Sequence, residues 1–251
     1  MSQFDRNQSV WNQPGQYQGY AQSRAEYDAG LRSYMLGIYN YMTLGLGVTG
    51  LVAMAVVMMS RTNPALAQTL YASPLKWLIM LAPLGFVMFM SFRFERMSKG
   101  ALLGTFLAFA AVMGLSMGSI GLVFKMGAIV NALLITTVAF GGLSLYGYVT
   151  KRDLSGMGAF LVMGLIGLIV ASLVNLFMQS SMFATAISVV GVLIFAGLTA
   201  WDTQRLRQDY DVYAHDGELM AKSSIMGALS LYLNFINMFQ MILSLTGGRE
   251  E

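Results

Sequence analysis

The sequence predicts an all-α integral membrane protein, a seven-transmembrane-helix bundle, and three observations predict it. Of 251 residues, 56% are hydrophobic and only 11% are charged, against about 25% charged in a soluble domain. Seven apolar stretches, most of membrane-spanning length, follow one another after a polar N-terminal segment. The basic residues between them divide unevenly. With the N-terminus inside, the inner segments carry 11 lysines and arginines and the outer segments 4, the positive-inside asymmetry of a polytopic protein.

Taken in order, residues 1–33 are rich in Gln, Asn, Ser, Tyr and Gly with no apolar period, which predicts a disordered polar cytoplasmic tail. No basic segment followed by an apolar core and a small-residue cleavage site stands there, so a signal peptide is not expected. The transmembrane domain is placed at 34–246, with a short C-terminal tail at 247–251. Its stretches are 34–59, 76–92, 101–124, 127–149, 157–178, 183–204 and 225–245, each judged against the roughly 20 residues a helix needs to cross the hydrocarbon. The second is short and interrupted by Pro83. The seventh is the most polar, with Ser230, Asn234, Asn237 and Gln240, and such groups need partners inside a bundle. Seven full spans put the C-terminus outside; a re-entrant last segment would return it inside.

Composition narrows the chemistry. The chain has no cysteine and one histidine, His215, which excludes disulfides, zinc thiolate sites and histidine metal clusters. The net charge is +3, but the basic residues flank spans, so they report topology in a lipid bilayer and no nucleic-acid partner is expected. Hydrolase, metalloprotease and nucleotide-binding signatures are absent from the sequence, and an intramembrane aspartyl protease needs two aspartates at membrane depth; no enzyme is expected. Gly114 and Gly118, and Gly45, Gly47 and Gly50, read as helix-packing faces. The 21 methionines read as core and lipid-facing filler.

One residue resists the scaffold reading. Asp202 stands at the inner end of the sixth apolar stretch, where a carboxylate costs a few kcal/mol unless it is paired, protonated or wetted. It is either an interfacial salt bridge to Arg205 or Arg207, or an internal ion or gating site shared with the polar cluster of the last span. Asp153 is placed as a cap of the fifth helix, and Asp209, Asp211, Asp216 and Glu218 as a solvated acidic loop. Asn131 and Asn175 are either interhelical hydrogen-bond partners or additional lining.

Three runs carry a resemblance: Gly197-Leu-Thr-Ala-Trp-Asp202-Thr-Gln-Arg, Gly227-Ala-Leu-Ser-Leu-Tyr-Leu-Asn234-Phe-Ile-Asn237, and Tyr146-Gly-Tyr-Val-Thr-Lys-Arg-Asp153-Leu-Ser-Gly-Met-Gly. Together, in a chain matched from about residue 30 to its end, they resemble the transmembrane Bax inhibitor motif family, including its bacterial YccA-like branch. The resemblance implies a bundle with a central last helix and six around it, and a pH-sensitive calcium leak. It also implies two aspartates on the sixth and seventh helices that share a proton, with a basic latch after the second helix. Asp202 matches the first aspartate. Asn234 stands where the second is usual, and Arg96 is the expected latch within Arg93-Phe-Glu-Arg96-Met-Ser-Lys99.

That departure has chemical consequences. Two carboxylates about 3 Å apart cannot both ionise easily and so sense protons. An amide stays neutral and can donate to ionised Asp202, so a weaker or more acid-shifted response is expected, with at most one proton. Calcium takes six to eight oxygen ligands. Asp202 with the amide oxygens of Asn234 and Asn237 supplies one formal charge, which fits weak binding and passage. No cofactor is expected beyond calcium as a permeant or weakly held ion. Two functions stand: a cation leak, with calcium the expected ion, in a bacterial inner membrane; or a non-transporting modulator of the membrane protease FtsH or of stress and cell-death responses, with residues 1–33 as its handle.

Overall fold

The computed structural model describes residues 14–247, and the side chains of residues 25–247. Seven long helices fill it: α1 (Pro14–Thr62), α2 (Leu75–Arg93), α3 (Lys99–Met117), α4 (Met126–Val149), α5 (Ser155–Met178), α6 (Ser181–Tyr213) and α7 (Gly217–Thr246). All seven are long and apolar enough to cross a membrane, and no strand occurs among the described residues. The all-α membrane bundle expected from composition is therefore the fold.

Local sequence sets the ends. Ser98 begins α3 by accepting from Ala101 N at 3.3 Å, and Ser180 begins α6 by accepting from Phe183 N at 3.3 Å. Asp216 begins α7 more firmly, accepting from Glu218 N at 2.9 Å and Leu219 N at 3.0 Å. Each satisfies backbone donors that the first helical turn leaves free. Pro83 does not break α2, which runs on through it and continues as a 3₁₀ turn over Phe94–Arg96. A proline removes one i→i−4 bond, and the turns on either side carry the helix past it.

Three boundaries differ widely from expectation: α1 already runs from Pro14, α6 continues to Tyr213 beyond the expected 204, and α7 starts at Gly217 ahead of the expected 225. The segment 14–33, read as tail, belongs to α1, and Leu31 and Tyr34 are buried. Tyr27, Leu31 and Tyr34 fall at i, i+4 and i+7, a helical face hidden within polar composition. Tyr27 packs edge-on to Tyr210 of α6 at 5.3 Å, and Tyr34 lies 5.7 Å from the same ring. Residues 1–13 and 248–251, the remainder of the two expected tails, lie outside the described residues. The last helix is one unbroken rod of 30 residues, with no re-entrant break.

α7 is the axis of the bundle. It packs against α1, α3, α4 and α6, whereas α2 rides chiefly on α3 and α5 on α6. The last helix is thus central, as expected, with α1, α3, α4 and α6 packed most closely on it. Phe106 and Phe109 of α3 meet Tyr232 of α7 at 5.9 and 5.3 Å, and Phe140 of α4 meets Phe235 at 5.5 Å. The Tyr232 hydroxyl bonds Thr49 Oγ1 at 2.7 Å, and Thr49 donates to Ala110 O at 2.8 Å, tying α1, α3 and α7 together. Where α1 crosses α3, a Cβ on Gly114 would stand 2.7 Å from Thr49 O, and Gly118 packs on Val56, so this pair is a close-approach face. Gly45 packs on Phe106, while Gly47 and Gly50 face open space and carry no helix contact. Outside, large apolar side chains are bare, Phe177 86% and Val138 76% exposed. This surface suits hydrocarbon and no aqueous solvent.

Candidate ion site at the α6–α7 crossing

The residues of the sixth-span motif each do something different where α6 crosses its neighbours. Ala200 lies under Gly147 of α4, so close that a Cβ on Gly147 would stand 2.9 Å from the Ala200 carbonyl carbon and nearer still to its oxygen. Trp201 covers Gly158 of α5. Thr203, fully buried, bonds Ser144 of α4 at 3.0 Å, and Ser144 bonds Tyr39 of α1. Gln204 clamps the α4–α5 loop, donating to Arg152 O at 2.7 Å and accepting from Leu154 N at 2.8 Å. These contacts fix α6 in rotation, and that rotation aims Asp202 at α7.

Asp202 is 4% exposed. Its Oδ2 accepts from Asn234 Nδ2 at 2.7 Å and from Ser230 Oγ at 2.8 Å, both on α7. Its Oδ1 lies 2.8 Å from Arg205 Nη2. That contact is an ion pair whose angle is too poor for a hydrogen bond, so Oδ1 has charge neutralisation without a donor. The Arg205 guanidinium also stands over the Trp201 ring at 4.9 Å and reaches Ser230 Oγ at 3.4 Å. Its side chain is 40% exposed, so solvent screening holds the pair's own contribution to about 1 kcal/mol or less. The two α7 donors to a charged acceptor are worth about 1.5–3 kcal/mol each. They hold the carboxylate more firmly than the ion pair does.

Beneath the site a cavity of about 430 Å³ opens between Ser91 and Phe94 at the end of α2, Arg205 and Asp209 of α6, and Ser230 and Leu233 of α7. Arg205 is therefore the group that meets the cavity, and Asp202 lies behind it. Among the described residues no group of three or more acidic or histidine side chains converges on one point.

The expected site residues separate into those brought together and those left apart. Asp202 and Asn234 meet. Asn237 does not join them: its Nδ2 donates to Leu233 O of its own helix at 2.8 Å. Arg96 is exposed in the turn after α2, and the cation on Asp202 is Arg205, the partner that the salt-bridge alternative named. Arg207 turns away, donating to Tyr148 O at 2.9 Å. Ser230 is the member the sequence reading left unassigned; its position four residues before Asn234, on the same helical face, was the available signal. Asn175 accepts from Ser180 N at 3.2 Å, and Asn131 is exposed on α4, so neither lines the site. Asp153 accepts from Ser155 N at 2.9 Å, just before α5. The acidic residues expected in one solvated loop divide between helices: Asp209 and Asp211 lie on α6, where Asp211 accepts from Tyr27, Asp216 caps α7, and Glu218 in the first turn of α7 pairs with Lys222 at 3.0 Å.

Comparison with known proteins agrees with the geometry. The profile of the family described as "Inhibitor of apoptosis-promoting Bax1" matches residues 31–251. An uncharacterized protein of Caulobacter vibrioides is 42% identical, the match covering 93% of this chain and 98% of that one. The uncharacterized protein RP147 of Rickettsia prowazekii is 41% identical over 90% and 93%. The inner membrane protein YbhL of Escherichia coli is 39% identical over 88% and 94%. Matched over all seven helices and the α6–α7 site, this chain belongs to the Bax inhibitor-1 family.

Proposed function

We propose that the protein is a passive cation leak of a bacterial inner membrane, with calcium as the permeant ion and a gate formed by Asp202, Arg205, Ser230 and Asn234. The observation that carries this reading is a buried carboxylate behind the wall of an open cavity, bonded to a second helix and neutralised by an arginine that itself lines the cavity. The cavity mouth lies at the end of the bundle bearing Arg93, Arg96 and Lys99, the face that the positive-inside rule assigns to the cytoplasm. The N-terminus is then cytoplasmic and the C-terminus outside.

With Arg205 in place the site is electrically neutral and offers an arriving cation nothing. Loss of the pair, by protonation of Asp202 or by displacement of Arg205, opens the way past it. With Arg205 displaced, a calcium ion would meet one carboxylate and neutral oxygens, and with Asp202 protonated neutral oxygens alone; both fall far short of the full oxygen shell of a storage site, so it is held weakly and released. The test is calcium entry into dye-loaded proteoliposomes across pH. Arg205→Gln raises flux at neutral pH, and Asp202→Asn changes the pH profile, because it removes the carboxylate that Arg205 pairs with. Identical pH profiles for wild type and both variants would overturn the gate.

A second reading rests on the same bonds. Asp202 joins α6 to α7 as a purely structural clip would, and the protein then acts by contact with a membrane quality-control complex such as FtsH. Deletion of residues 1–13 separates the two, since a leak survives it and a tail-mediated contact does not. The deletion stops short of α1, where Leu31 is buried.

A further inference from the structure

One face of the central helix is left uncovered. Along α7, Met226, Ser230, Leu233, Asn237 and Gln240 are half-buried and Ser244 is exposed, while their neighbours are mostly buried. The spacing of three and four residues makes this a single stripe on one side of the helix, and four of its six members are polar. Its flanks are identified by contacts. On one side α6 provides Asp202, bonded to Ser230, and Ser188, which donates to Ser244 at 3.1 Å. On the other, Gln240 Nε2 reaches Met117 Sδ of α3 at 3.8 Å. The stripe therefore lies in a furrow between α6 and α3. α2, which packs on α3, meets it at the cavity.

Amides and hydroxyls facing hydrocarbon are costly, and helices at membrane depth place such groups toward protein or water. The Asn237 amide already folds back onto Leu233 O, as a donor does when no better acceptor is in reach. Leu233 is the last α7 residue on the cavity wall and stands between polar Ser230 and polar Asn237. A single apolar side chain between two wetted segments closes a path by excluding water.

We propose that the α3–α6 furrow along α7 is a water-accessible path, entered from the cavity on one side and past Gln240 and Ser244 on the other, with Leu233 as its apolar constriction. This deepens the leak reading, on which its ion-conducting role rests; water access itself is measured without any flux. The chain has no cysteine, so single cysteines can be placed at will. Ser230→Cys, Asn237→Cys, Gln240→Cys and Ser244→Cys would be reacted in proteoliposomes with a charged, membrane-impermeant thiosulfonate from each side in turn. Val138→Cys, on the lipid-facing surface, and Met238→Cys, fully buried, are the unreactive references.

Ser230→Cys is expected to react only from the cavity side, and Gln240→Cys and Ser244→Cys only from the opposite side. Adding Leu233→Ala should raise the cavity-side reactivity of Asn237→Cys on the order of tenfold. Leu233→Val, a milder cut, gives a smaller rise and guards against misfolding of the first. Reactivity at Asn237 and Gln240 no greater than at the two references overturns the path. A cavity-side rate at Asn237 unchanged by both Leu233 variants overturns the constriction. Labelling as expected without calcium entry in any variant leaves the furrow standing and removes the leak.

Discussion

Replacing Asn234 by aspartate tests the site most directly, because the existing geometry fixes the energy. Asn234 Nδ2 lies 2.7 Å from Asp202 Oδ2, so Asn234→Asp sets a second carboxylate at that separation and exchanges a donor for an acceptor. Two full charges at 2.7 Å repel by about 6 kcal/mol at an effective dielectric of about 20. Arg205 already neutralises Asp202, and one guanidinium cannot offset two carboxylates. If rearrangement and the Ser230 hydroxyl recover half of the repulsion, about 3 kcal/mol remains, equivalent to about two pH units. The variant therefore favours a proton shared between two carboxylates, which the wild-type carboxylate–amide pair cannot form. Its calcium flux in dye-loaded liposomes should show a pH midpoint about two units higher than wild type and a steeper transition. Infrared difference spectra should show a protonated-carboxyl stretch that Asp202→Asn, made in the same background, alters. A pH profile that overlays wild type, in protein shown to be folded, refutes the reasoning, since it means that Asn234 and Asp202 are not in contact.

Three further outcomes follow from contacts around the site. Gly147→Leu forces α4 and α6 apart where a Cβ already falls 2.9 Å from the Ala200 carbonyl carbon; overpacking of this kind costs about 1–3 kcal/mol and lowers Tm in detergent, whereas Gly47→Ala, facing open space, does not. Gln204→Ala releases the α4–α5 loop and orphans Leu154 N, which costs about 1–3 kcal/mol and is read as faster amide exchange at Leu154. Hydrogen bonds from Ser155 hold the Asp153 carboxyl below its ordinary range; a lowered folded-state value stabilises above the unfolded-state value, and that stabilisation is lost as pH falls through the folded one. Asp153→Ala should therefore lower Tm slightly near neutral pH, with the difference fading in acid.

The spans were legible because seven apolar stretches of the right length are a property of composition, whereas the polar ends of α6 and α7, which run on to Tyr213 and start at Gly217, were not, because no apolar run marks them. Asp202 and Asn234 were legible as a pair, since each is a polar group in an apolar helix and such groups seek one another. Their cation was legible only in part. Arg205 is three residues from Asp202 on the same helix, so that pairing can be read from spacing, whereas Arg96 came from resemblance and needed a register between α2 and α6 that no local pattern encodes. Asn237 shows the opposite error. It lies one turn from Asn234, yet a turn further along the helix its amide bonds its own backbone. The first two turns before Tyr34 were hidden because three apolar side chains in a glutamine-rich segment do not move a composition average, though they are enough to build one helical face against Tyr210.

The length of α6 carries a mechanical consequence. Its 33 residues make a rod of about 50 Å, which overreaches a hydrocarbon core of about 30 Å. The overhang is strapped to α1 through Tyr27, Gly30 and Tyr34 against Tyr210 and Asp211. Asp202 sits on this same unbroken rod, about three turns from its strapped end. A load on α1 at Tyr27–Tyr34 would thus pass through Tyr210 to the helix that holds the carboxylate.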